Sequence, residues 1–337
     1  MSDLPYITIV LPTYNRKEKL LQCLQSLERQ TYPFDYFSVI VVDDGSTDGT
    51  ALAVENFMKT SHLRLSFCSQ KHSGPGAARN LGSSRATGDI LAFTEDDIVA
   101  DSQWLEHASK YFSSHEIAAL EGKTVLGNST APFRILEKGH QLGFLPCNLF
   151  VRKEVFLEVH GFDPEFFDGE KNVYFREDAD FGFRVHSKGS AIVRAENVVV
   201  VHPDLYSSIR DYFEHARRYF FDPLLYKKHP KFYRQFIEVK SLGPFRIHRP
   251  FHYLCWIFIV SILIILTCYG FSCSSLVYPS LIIALASHVA IRYRYERKVV
   301  PEIWKIPRTL AFLLLPFYYW YWFMLGCSRF KSWGALI

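Results

Sequence analysis

Four short runs rich in apolar residues, all within the first hundred residues, constrain the fold of this chain more than any other feature. They lie at residues 6–11, 37–42, 63–68 and 90–93. Helix-like segments alternate with them, and the segment at 17–30 places its leucines on one helical face. Because strands that alternate with helices build a helix-covered parallel sheet, we predict an α/β fold with a mostly parallel sheet.

Three carboxylates, Glu95, Asp96 and Asp97, directly follow the fourth apolar run. Ligands of open α/β sheets bind just outside the carboxyl ends of the strands. Alternate side chains of an extended chain share a face, so Glu95 and Asp97 should point one way and Asp96 the other. Two convergent carboxylates need a proton or a cation between them, and oxygen ligands suit Mg²⁺ or Mn²⁺. A solvated acidic turn is the alternative interpretation of so short a motif.

Polar residues also follow the other predicted strands. Tyr14 lies in the loop after the first strand, Asp43 and Asp44 follow the second, and Arg79 lies in a helix that begins near Gly74. At one sheet edge they would offer a nucleoside diphosphate carboxylate acceptors, an aromatic face, and positive charge beside helix-start N–H groups. Taken singly, each motif is better explained as a turn or a helix cap, but their joint position favours a binding site.

Six motifs follow one another over about residues 5–205. They are residues 10–16 (VLPTYNR), 41–48 (VVDDGSTD), 74–80 (GPGAARN), 93–97 (FTEDD), 148–152 (NLFVR) with 161–163 (GFD), and 177–184 (EDADFGFR). In this order they resemble the family 2 glycosyltransferases, which have the Rossmann-like GT-A fold with helices on both faces of the sheet. The resemblance implies an inverting transferase that uses a nucleotide-activated sugar and Mn²⁺ or Mg²⁺.

The resemblance also implies roles for individual residues. It assigns the nucleotide-sugar donor to Pro12, Thr13, Tyr14, Asp43, Asp44, Arg79 and Asp96, and the metal to Asp97, Glu95 and His202. Asp178, with Glu177 as the less favoured choice, stands where the family has its catalytic base. Glu95 departs from the family pattern, which has the shorter Asp at that position.

These roles are chemically consistent, because inversion needs a base that takes the proton of the acceptor hydroxyl, and a metal would neutralise the leaving diphosphate. The assignments of the base and of His202 nevertheless have structural alternatives. Glu177 and Asp178 also suit the first turn of a helix, where acids complement the helix dipole. His202, after the apolar run 198–201, also fits a structural or surface histidine.

The last third of the chain changes character. Residues 206–250 mix aromatic and basic side chains, as amphipathic segments at membrane surfaces do. The apolar stretches 251–269 and 276–291 are candidate membrane spans. The stretch 310–325 contains Pro316 and either spans or lies in the interface. The basic loop before it predicts a cytosolic position by the positive-inside rule.

Charge and cysteine content bound the partners and the compartment. Thirty-eight Lys and Arg against 34 Asp and Glu leave a net charge of +4, too mild to indicate nucleic acid. Seven scattered cysteines without a CxxC pair predict free thiols in a reducing compartment, and the start of the chain has no signal segment. We expect an integral membrane protein with C-terminal helices from 251 to 337, whose catalytic part at 1–205, in halves that meet near residue 100, faces the cytosol.

The expected reaction is transfer from a UDP-, GDP- or dTDP-sugar to a membrane-presented, lipid-linked saccharide in the assembly of a surface glycan or a glycoprotein oligosaccharide. The segment 121–168 would form the acceptor side, with either a lipid-facing cleft or ordinary core at its apolar residues Phe133, Leu142, Phe144 and Leu145. Transfer to polyprenyl phosphate and a non-catalytic nucleotide-sugar-binding membrane protein remain as alternatives. A processive polymer synthase is less favoured, because no Gln-x-x-Arg-Trp motif precedes the apolar stretches.

Overall fold

A computed structural model describes most of the chain. The described residues are 4–127, 146–203, 209–237, 239–242, 245–270, 274–295 and 306–336. They divide into two compact units, unit 1 at Met1–Asp204 and unit 2 at Leu205–Ile337. The apolar acceptor-side residues Phe133, Leu142, Phe144 and Leu145 lie outside the described residues.

Unit 1 alternates strands and helices as the sequence predicts. In chain order its elements are β1 (Ile7–Thr13), α1 (Lys17–Leu27), β2 (Phe37–Asp43), α2 (Thr50–Met58), β3 (Leu65–Ser69), α3 (Gly74–Arg85), β4 (Ile90–Thr94), β5 (Val99–Ala100), α4 (Trp104–Tyr111), β6 (Ile117–Leu126), β7 (Asn148–Arg152), α5 (Lys153–Glu158), β8 (Phe167–Asp168), β9 (Val173–Tyr174), α6 (Glu177–Ser187) and β10 (Ala191–His202).

Eight of these strands form one mixed, mostly parallel sheet in the order β3-β2-β1-β4-β7-β6-β10-β5. β1 pairs in parallel with β2 and with β4, β2 with β3, and β6 with β10. β7 is antiparallel to β4 and β6, and β5 is antiparallel to β10. The prediction of an α/β fold with a mostly parallel sheet is therefore confirmed. Because β1, β2 and β4 are parallel neighbours, their carboxyl ends meet at one edge.

Both faces of the sheet are buried, because successive side chains of the central strands enter opposite cores. In β4, Ile90 and Ala92 join the core that also holds Leu24 of α1, whereas Leu91 and Phe93 enter the other core. Each buried Leu, Ile or Phe side chain stabilises the fold by about 1.5–3 kcal/mol relative to exposure. Packing of helices on both faces fixes the strand ends that carry the polar residues.

Helix α3 lies unusually close to the sheet. A Cβ atom added to Gly82 would stand 2.5 Å from Cγ1 of Val10 and 3.0 Å from Cγ2 of Val42. Only a glycine allows this approach without a shift of β1, β2 or the helix. The same helix carries Arg79 one turn earlier, so this contact sets the position of the arginine.

Unit 2 is mainly helical. Its elements are α7 (Ile209–Arg218), α8 (Asp222–Lys228), α9 (Pro230–Phe236), the antiparallel hairpin of β11 (Val239–Leu242) and β12 (Phe245–His248), α10 (Pro250–Gly270), α11 (Ser274–Tyr295) and α12 (Ile306–Phe330). Helix α7 packs on α12, with ring centroids of Tyr212 and Phe312 5.1 Å apart. The sequence did not predict the hairpin, which lies in the stretch assigned to an amphipathic segment.

The long helices of unit 2 expose many apolar side chains. Among the described residues, the window Phe251–Cys268 of α10 is long and apolar enough to cross a membrane, by length and composition alone. Leu276–Ile291 in α11 is a shorter apolar stretch. Leu266 and Ile282 are 64% and 69% exposed, respectively. The third predicted stretch lies within α12, which continues through Pro316 as one helix.

Candidate functional site

Glu95, Asp97 and His202 converge at the carboxyl ends of β4 and β10. His202 Nε2 lies 3.4 Å from Glu95 Oε2 and 3.4 Å from Asp97 Oδ1. One potential ligand atom from each residue falls within 4.8 Å of the other two. The backbone oxygen of Pro203 lies 2.7 Å from His202 Nδ1, so Nδ1 donates to it and leaves Nε2 toward the carboxylates. The predicted common direction of Glu95 and Asp97 is confirmed by this geometry.

The donor set of these three residues suits a divalent cation. The side chain of Asp97 is only 7% exposed, yet none of the described residues hydrogen-bonds its buried Oδ1 atom. An unsatisfied buried carboxylate oxygen is costly unless a ligand completes it. Two carboxylates with one imidazole match the preferences of Mn²⁺ and also tolerate Mg²⁺. The residues present therefore fit a metal of this class.

In the absence of a metal, opposite charges hold Glu95, Asp97 and His202 together. Burial acts to raise the pKa of Glu95, but the hydrogen bond from His202 and the charge of Arg79 outweigh it and lower that pKa to about 2. Burial acts to lower the pKa of His202, but the hydrogen bond and charge of Glu95, with the charge of Asp97, raise it to about 9. The metal-free site is thus an ion pair between a cationic imidazole and two carboxylates.

Asp96 points away from this group, as the strand alternation predicts. Its Oδ2 accepts a hydrogen bond of 2.8 Å from the Thr13 hydroxyl, and its Oδ1 accepts one of 3.1 Å from Arg16 Nη1. Both Thr13 and Asp96 are buried. Asp96 therefore ties the end of β1 to the end of β4 and fixes the orientation of the Thr13 hydroxyl.

Arg79 is buried between two acids from different elements. Its Nη2 lies 3.4 Å from Glu95 Oε1 and its Nη1 lies 3.3 Å from Glu177 Oε1. The side chain is only 3% exposed. Arg79 thus links the end of β4 to the first turn of α6, and it neutralises the Glu95 oxygen that does not face His202.

Asp43 and Asp44 differ in the number of hydrogen bonds that their carboxylates accept from the protein. Both oxygens of Asp44 accept hydrogen bonds from the start of α3 and the loop before it, including those from the N–H groups of Ser73 and Gly74, each 2.9 Å long. Gln70 and His72 contact the same carboxylate at 2.7 and 2.8 Å. Asp43 accepts one bond on Oδ1, 3.0 Å from the Ser46 N–H. Asp44 is therefore a structural anchor of the α3 start, and Asp43 is the better placed of the two to meet a ligand.

Tyr14 is stacked on a residue that the sequence did not single out. Its ring lies 4.1 Å from the His72 ring at an interplanar angle of 16°. His72 also contacts Asp44 through Nδ1 and the edge-on ring of Phe167, and its Nε2 lies 3.0 Å from Asn172 Oδ1. Tyr14 is 38% exposed, which leaves part of this aromatic pair open to solvent. Pro12, by contrast, is buried in β1.

The acids that begin α6 have distinct environments. Glu177 is buried and paired with Arg79. Asp180 is 1% exposed and bonded to Arg184 one turn later. Asp178 is partly exposed, and its Oδ1 accepts from the Ala179 N–H at 2.7 Å. Of these three carboxylates Asp178 is therefore the most exposed.

Sequence reasoning missed two cations beside the candidate metal-ligand group of Glu95, Asp97 and His202. Arg16 Nη1 lies 3.1 Å from Asp97 Oδ2, and Lys19 Nζ lies 3.2 Å from the same oxygen. Arg16 belongs to the VLPTYNR motif, but Lys19 lies on the polar face of α1 and carries no motif. Nearly eighty residues separate Lys19 from its partner, so only the parallel pairing of β1 with β4 brings them together.

Comparisons with known proteins match much of the first half of the chain to a protein family. Residues 8–162 match the model of the family described as glycosyl transferase family 2. Glycosyltransferase AglE of Haloferax volcanii is 28% identical over 214 residues, which are 60% of this chain and 68% of AglE. A poly(ribitol-phosphate) beta-N-acetylglucosaminyltransferase, TarS of Staphylococcus aureus, is 32% identical over 108 residues, which are 32% of this chain but only 19% of TarS.

Solved structures share the fold. The mannosyltransferase PcManGT from Pyrobaculum calidifontis, in complex with GDP-Man and Mn²⁺, has a TM-score of 0.56 at 18% identity and covers 99% of this chain and 87% of its own. TarS 1-349 in complex with UDP has a TM-score of 0.50 at 18% identity, over 88% of this chain and 94% of its own. At this identity the likeness speaks for the fold alone. Residues 8–162 of this chain therefore carry a glycosyl transferase family 2 domain, and the chain has a GT-A-like fold.

Proposed function

We propose that this chain transfers a sugar, with inversion and with the help of a divalent metal, from a nucleotide-sugar donor to a membrane-presented acceptor. The observation that carries the proposal is the convergence of Glu95 Oε2, Asp97 Oδ1 and His202 Nε2 at the sheet edge. These three residues would hold the metal, Mn²⁺ or Mg²⁺, and the bound metal would act as a Lewis acid on the leaving diphosphate. The Mn²⁺ in the PcManGT complex supports this choice of cation class.

The nucleoside half of the donor would lie at the ends of β1 and β2. Thr13 has its hydroxyl oriented by Asp96, and Asp43 keeps acceptor capacity for a base N–H or a ribose hydroxyl. The half-exposed ring of Tyr14 provides an aromatic face. The structures with GDP-Man and with UDP support a nucleoside-diphosphate sugar as the donor class.

Asp178 would act as the base. An inverting transfer is a single displacement, in which the acceptor oxygen attacks the anomeric carbon while its proton leaves to a carboxylate. Asp178 is partly exposed at the start of α6, whereas Arg79 holds the adjacent Glu177 as an ion-paired, buried carboxylate. Arg79 therefore positions the first turn of α6 relative to the metal-ligand Glu95.

The acceptor would be a lipid-linked saccharide at the cytosolic face of a membrane. Support comes from unit 2, where α10 has the length and composition of a span and exposes Leu263 and Leu266. Side chains this apolar are stable in lipid and unfavourable in water. An enzyme anchored beside its acceptor meets it at a raised effective concentration.

A transfer assay tests the proposal. Full-length protein in native membranes would be given UDP-, GDP- and dTDP-sugars with Mn²⁺ and a lipid extract, and the product's anomeric configuration would be read by NMR. We expect one donor class to react, with inversion of the donor's configuration. Asp178→Asn should lower the transfer rate at least 100-fold, since a general base contributes about 10²–10⁴-fold. Glu106→Gln, at a partly exposed acid on α4 that pairs with Lys110, is the control for loss of one carboxylate.

Other outcomes would redirect the assignment. Retention of anomeric configuration would contradict the inverting mechanism. Near-normal turnover of Asp178→Asn would favour a phosphate acceptor, which is already an anion and needs no base. Tight nucleotide binding without turnover on any extract would favour the non-catalytic alternative.

A further inference from the structure

The start of α1 carries more positive charge than a helix start favours. Arg16 immediately precedes the helix, Lys17 and Lys19 occupy its first turn, and Glu18 is the acidic residue there. Because the helix dipole is positive at this end, basic residues are locally unfavourable. A local rule that is broken in this way often marks a functional site.

Two of these cations reach the buried carboxylate of Asp97. Arg16 Nη1 lies 3.1 Å and Lys19 Nζ 3.2 Å from Asp97 Oδ2. The side chains of Arg16 and Lys19 are 44% and 49% exposed, whereas that of Asp97 is 7% exposed. Arg16 and Lys19 therefore lie between the buried carboxylate of Asp97 and solvent, and part of each side chain faces solvent.

The two oxygens of Asp97 have separate environments. Oδ2 accepts hydrogen bonds from Arg16 Nη1 and Lys19 Nζ, while Oδ1 faces His202 and is hydrogen-bonded by none of the described residues. Arg16 and Lys19 thus orient the carboxylate so that one oxygen is left for a ligand. The positive charge of Arg16 and Lys19 thus stands beside Oδ2, whereas Oδ1 faces His202.

Resting on the proposed function, we infer that Lys19, assisted by Arg16, binds the diphosphate of the nucleotide-sugar donor as a contact separate from the metal. A lysine ammonium has three N–H donors, of which Asp97 takes one. Phosphate oxygens are strong acceptors, and charge-assisted bonds to them are stronger than neutral ones. Lys19 would then stabilise the charge that develops on the leaving diphosphate.

The test compares diphosphates with monophosphates in the absence of metal. Calorimetry of the full chain in detergent and EDTA would measure UDP, UMP, GDP and GMP binding. We expect the wild type to prefer the diphosphate of its nucleoside, and Lys19→Met to reduce that preference about tenfold, as loss of a charge-assisted bond should. Lys17→Met is the matched control, because Lys17 Nζ lies in the same turn but contacts the backbone oxygen of Asp48 at 3.2 Å. Lys19→Arg should retain most of the preference.

The outcomes separate this inference from the function on which it rests. An unchanged diphosphate preference in Lys19→Met overturns the inference and leaves the transferase proposal standing, and so does a change confined to Mn²⁺ affinity, because Lys19 would then only orient Asp97. A wild type that binds neither these four nucleotides nor dTDP, in EDTA and again after Mn²⁺ is added, overturns both. Lys19→Gln replaces the Met variant if thermal melting shows that the latter is misfolded.

Discussion

At the level of single side chains, the site is a balance of opposite charges held at short distances. Four carboxylates, at Glu95, Asp96, Asp97 and Glu177, face the cationic groups of Arg16, Lys19, Arg79 and His202. A divalent cation in place of the His202 proton would add positive charge to this balance. Glu95, Asp97 and His202 would then hold a site that favours an anionic ligand such as a diphosphate.

The metal-free ion pair of His202 and Glu95 should make stability depend on pH. The pKa of His202 is raised to about 9, so its contribution is complete below the unfolded value of 6.5 and is lost as pH rises through 9. The pKa of Glu95 is lowered to about 2, so its contribution is present above 4.5 and is lost as pH falls through 2. Both are complete only between pH 4.5 and 6.5.

We therefore expect the Tm of the protein in EDTA to fall between pH 6.5 and 9. Each kcal/mol lost should lower Tm by about 2–4 °C for a domain of this size. Thermal melts of the wild type and of His202→Gln would measure this, and the variant should show a flatter pH dependence in that interval. Parallel curves for the two proteins would contradict the ion-pair interpretation.

At the level of secondary structure, the close contact of α3 with the sheet sets the position of Arg79. Gly82→Ala would place a methyl group 2.5 Å from Val10 Cγ1, which neither the helix nor the strand can accept without moving. We expect a loss of about 1–3 kcal/mol in the free energy of unfolding, as overpacked cores show. Chemical denaturation would measure it.

Nucleotide binding should respond to the same substitution. A shift of α3 moves Arg79 relative to Glu95 and Glu177, so the affinity for the nucleoside diphosphate should fall along with stability. Ser84→Ala, on the exposed side of α3, is the control and should change neither. A Gly82→Ala variant as stable as the wild type would show that α3 has room to move off the sheet.

The elements that the sequence predicts are those with a strong local pattern. The runs at 6–11, 37–42 and 90–93 lie within or next to β1, β2 and β4. Their ends meet because parallel pairing follows from the strand-helix alternation. The antiparallel insertion of β7 beside β4 has no local signal, since it pairs Ile90 with Arg152. The two-residue strands β8 and β9 are too short to show periodicity.

The same limit applies to the site. The alternation of Glu95, Asp96 and Asp97 follows from strand geometry and needs no tertiary information. The structural role of Asp44 as the anchor of the start of α3 follows only from its four hydrogen-bond partners in the folded chain. His72 and Lys19 had no signal in the sequence, because what makes each notable is a partner supplied by another part of the fold.

At the scale of the whole chain, the proposed membrane position of unit 2 rests on its exposed apolar side chains. Ile282 of α11 and Leu266 of α10 are among its most exposed apolar side chains. If these helices lie in lipid, the double variant Leu266→Lys, Ile282→Lys should reduce the membrane-bound yield. A lysine at the centre of an apolar stretch, as at Ile282, costs about 2.5–3.5 kcal/mol on insertion, and one near its end, as at Leu266, costs less. Fractionation with carbonate extraction would measure the yield.

The opposite result of the same experiment is equally informative. In a protein whose unit 2 lies in water, the two lysines would replace exposed apolar groups and raise the soluble yield. Lys227→Gln on α8 is the control, because its side chain donates to the backbone oxygen of Phe330 and does not lie on an apolar face. A higher soluble yield of the double variant would contradict the membrane proposal.

Metal-dependent release of nucleoside diphosphate tests the proposed metal site, its cation and the transfer reaction in one measurement. Full-length protein with its preferred nucleotide sugar would be titrated with Mn²⁺ and with Mg²⁺ after EDTA treatment, alongside Asp97→Asn and the control Glu106→Gln. We predict release that requires the metal, falls at least 100-fold in Asp97→Asn and persists in Glu106→Gln, since loss of one group that stabilises transition-state charge costs about 10²–10³-fold. Release that persists in EDTA, or that is unaffected by Asp97→Asn, would contradict a metal-assisted transferase built on Glu95, Asp97 and His202.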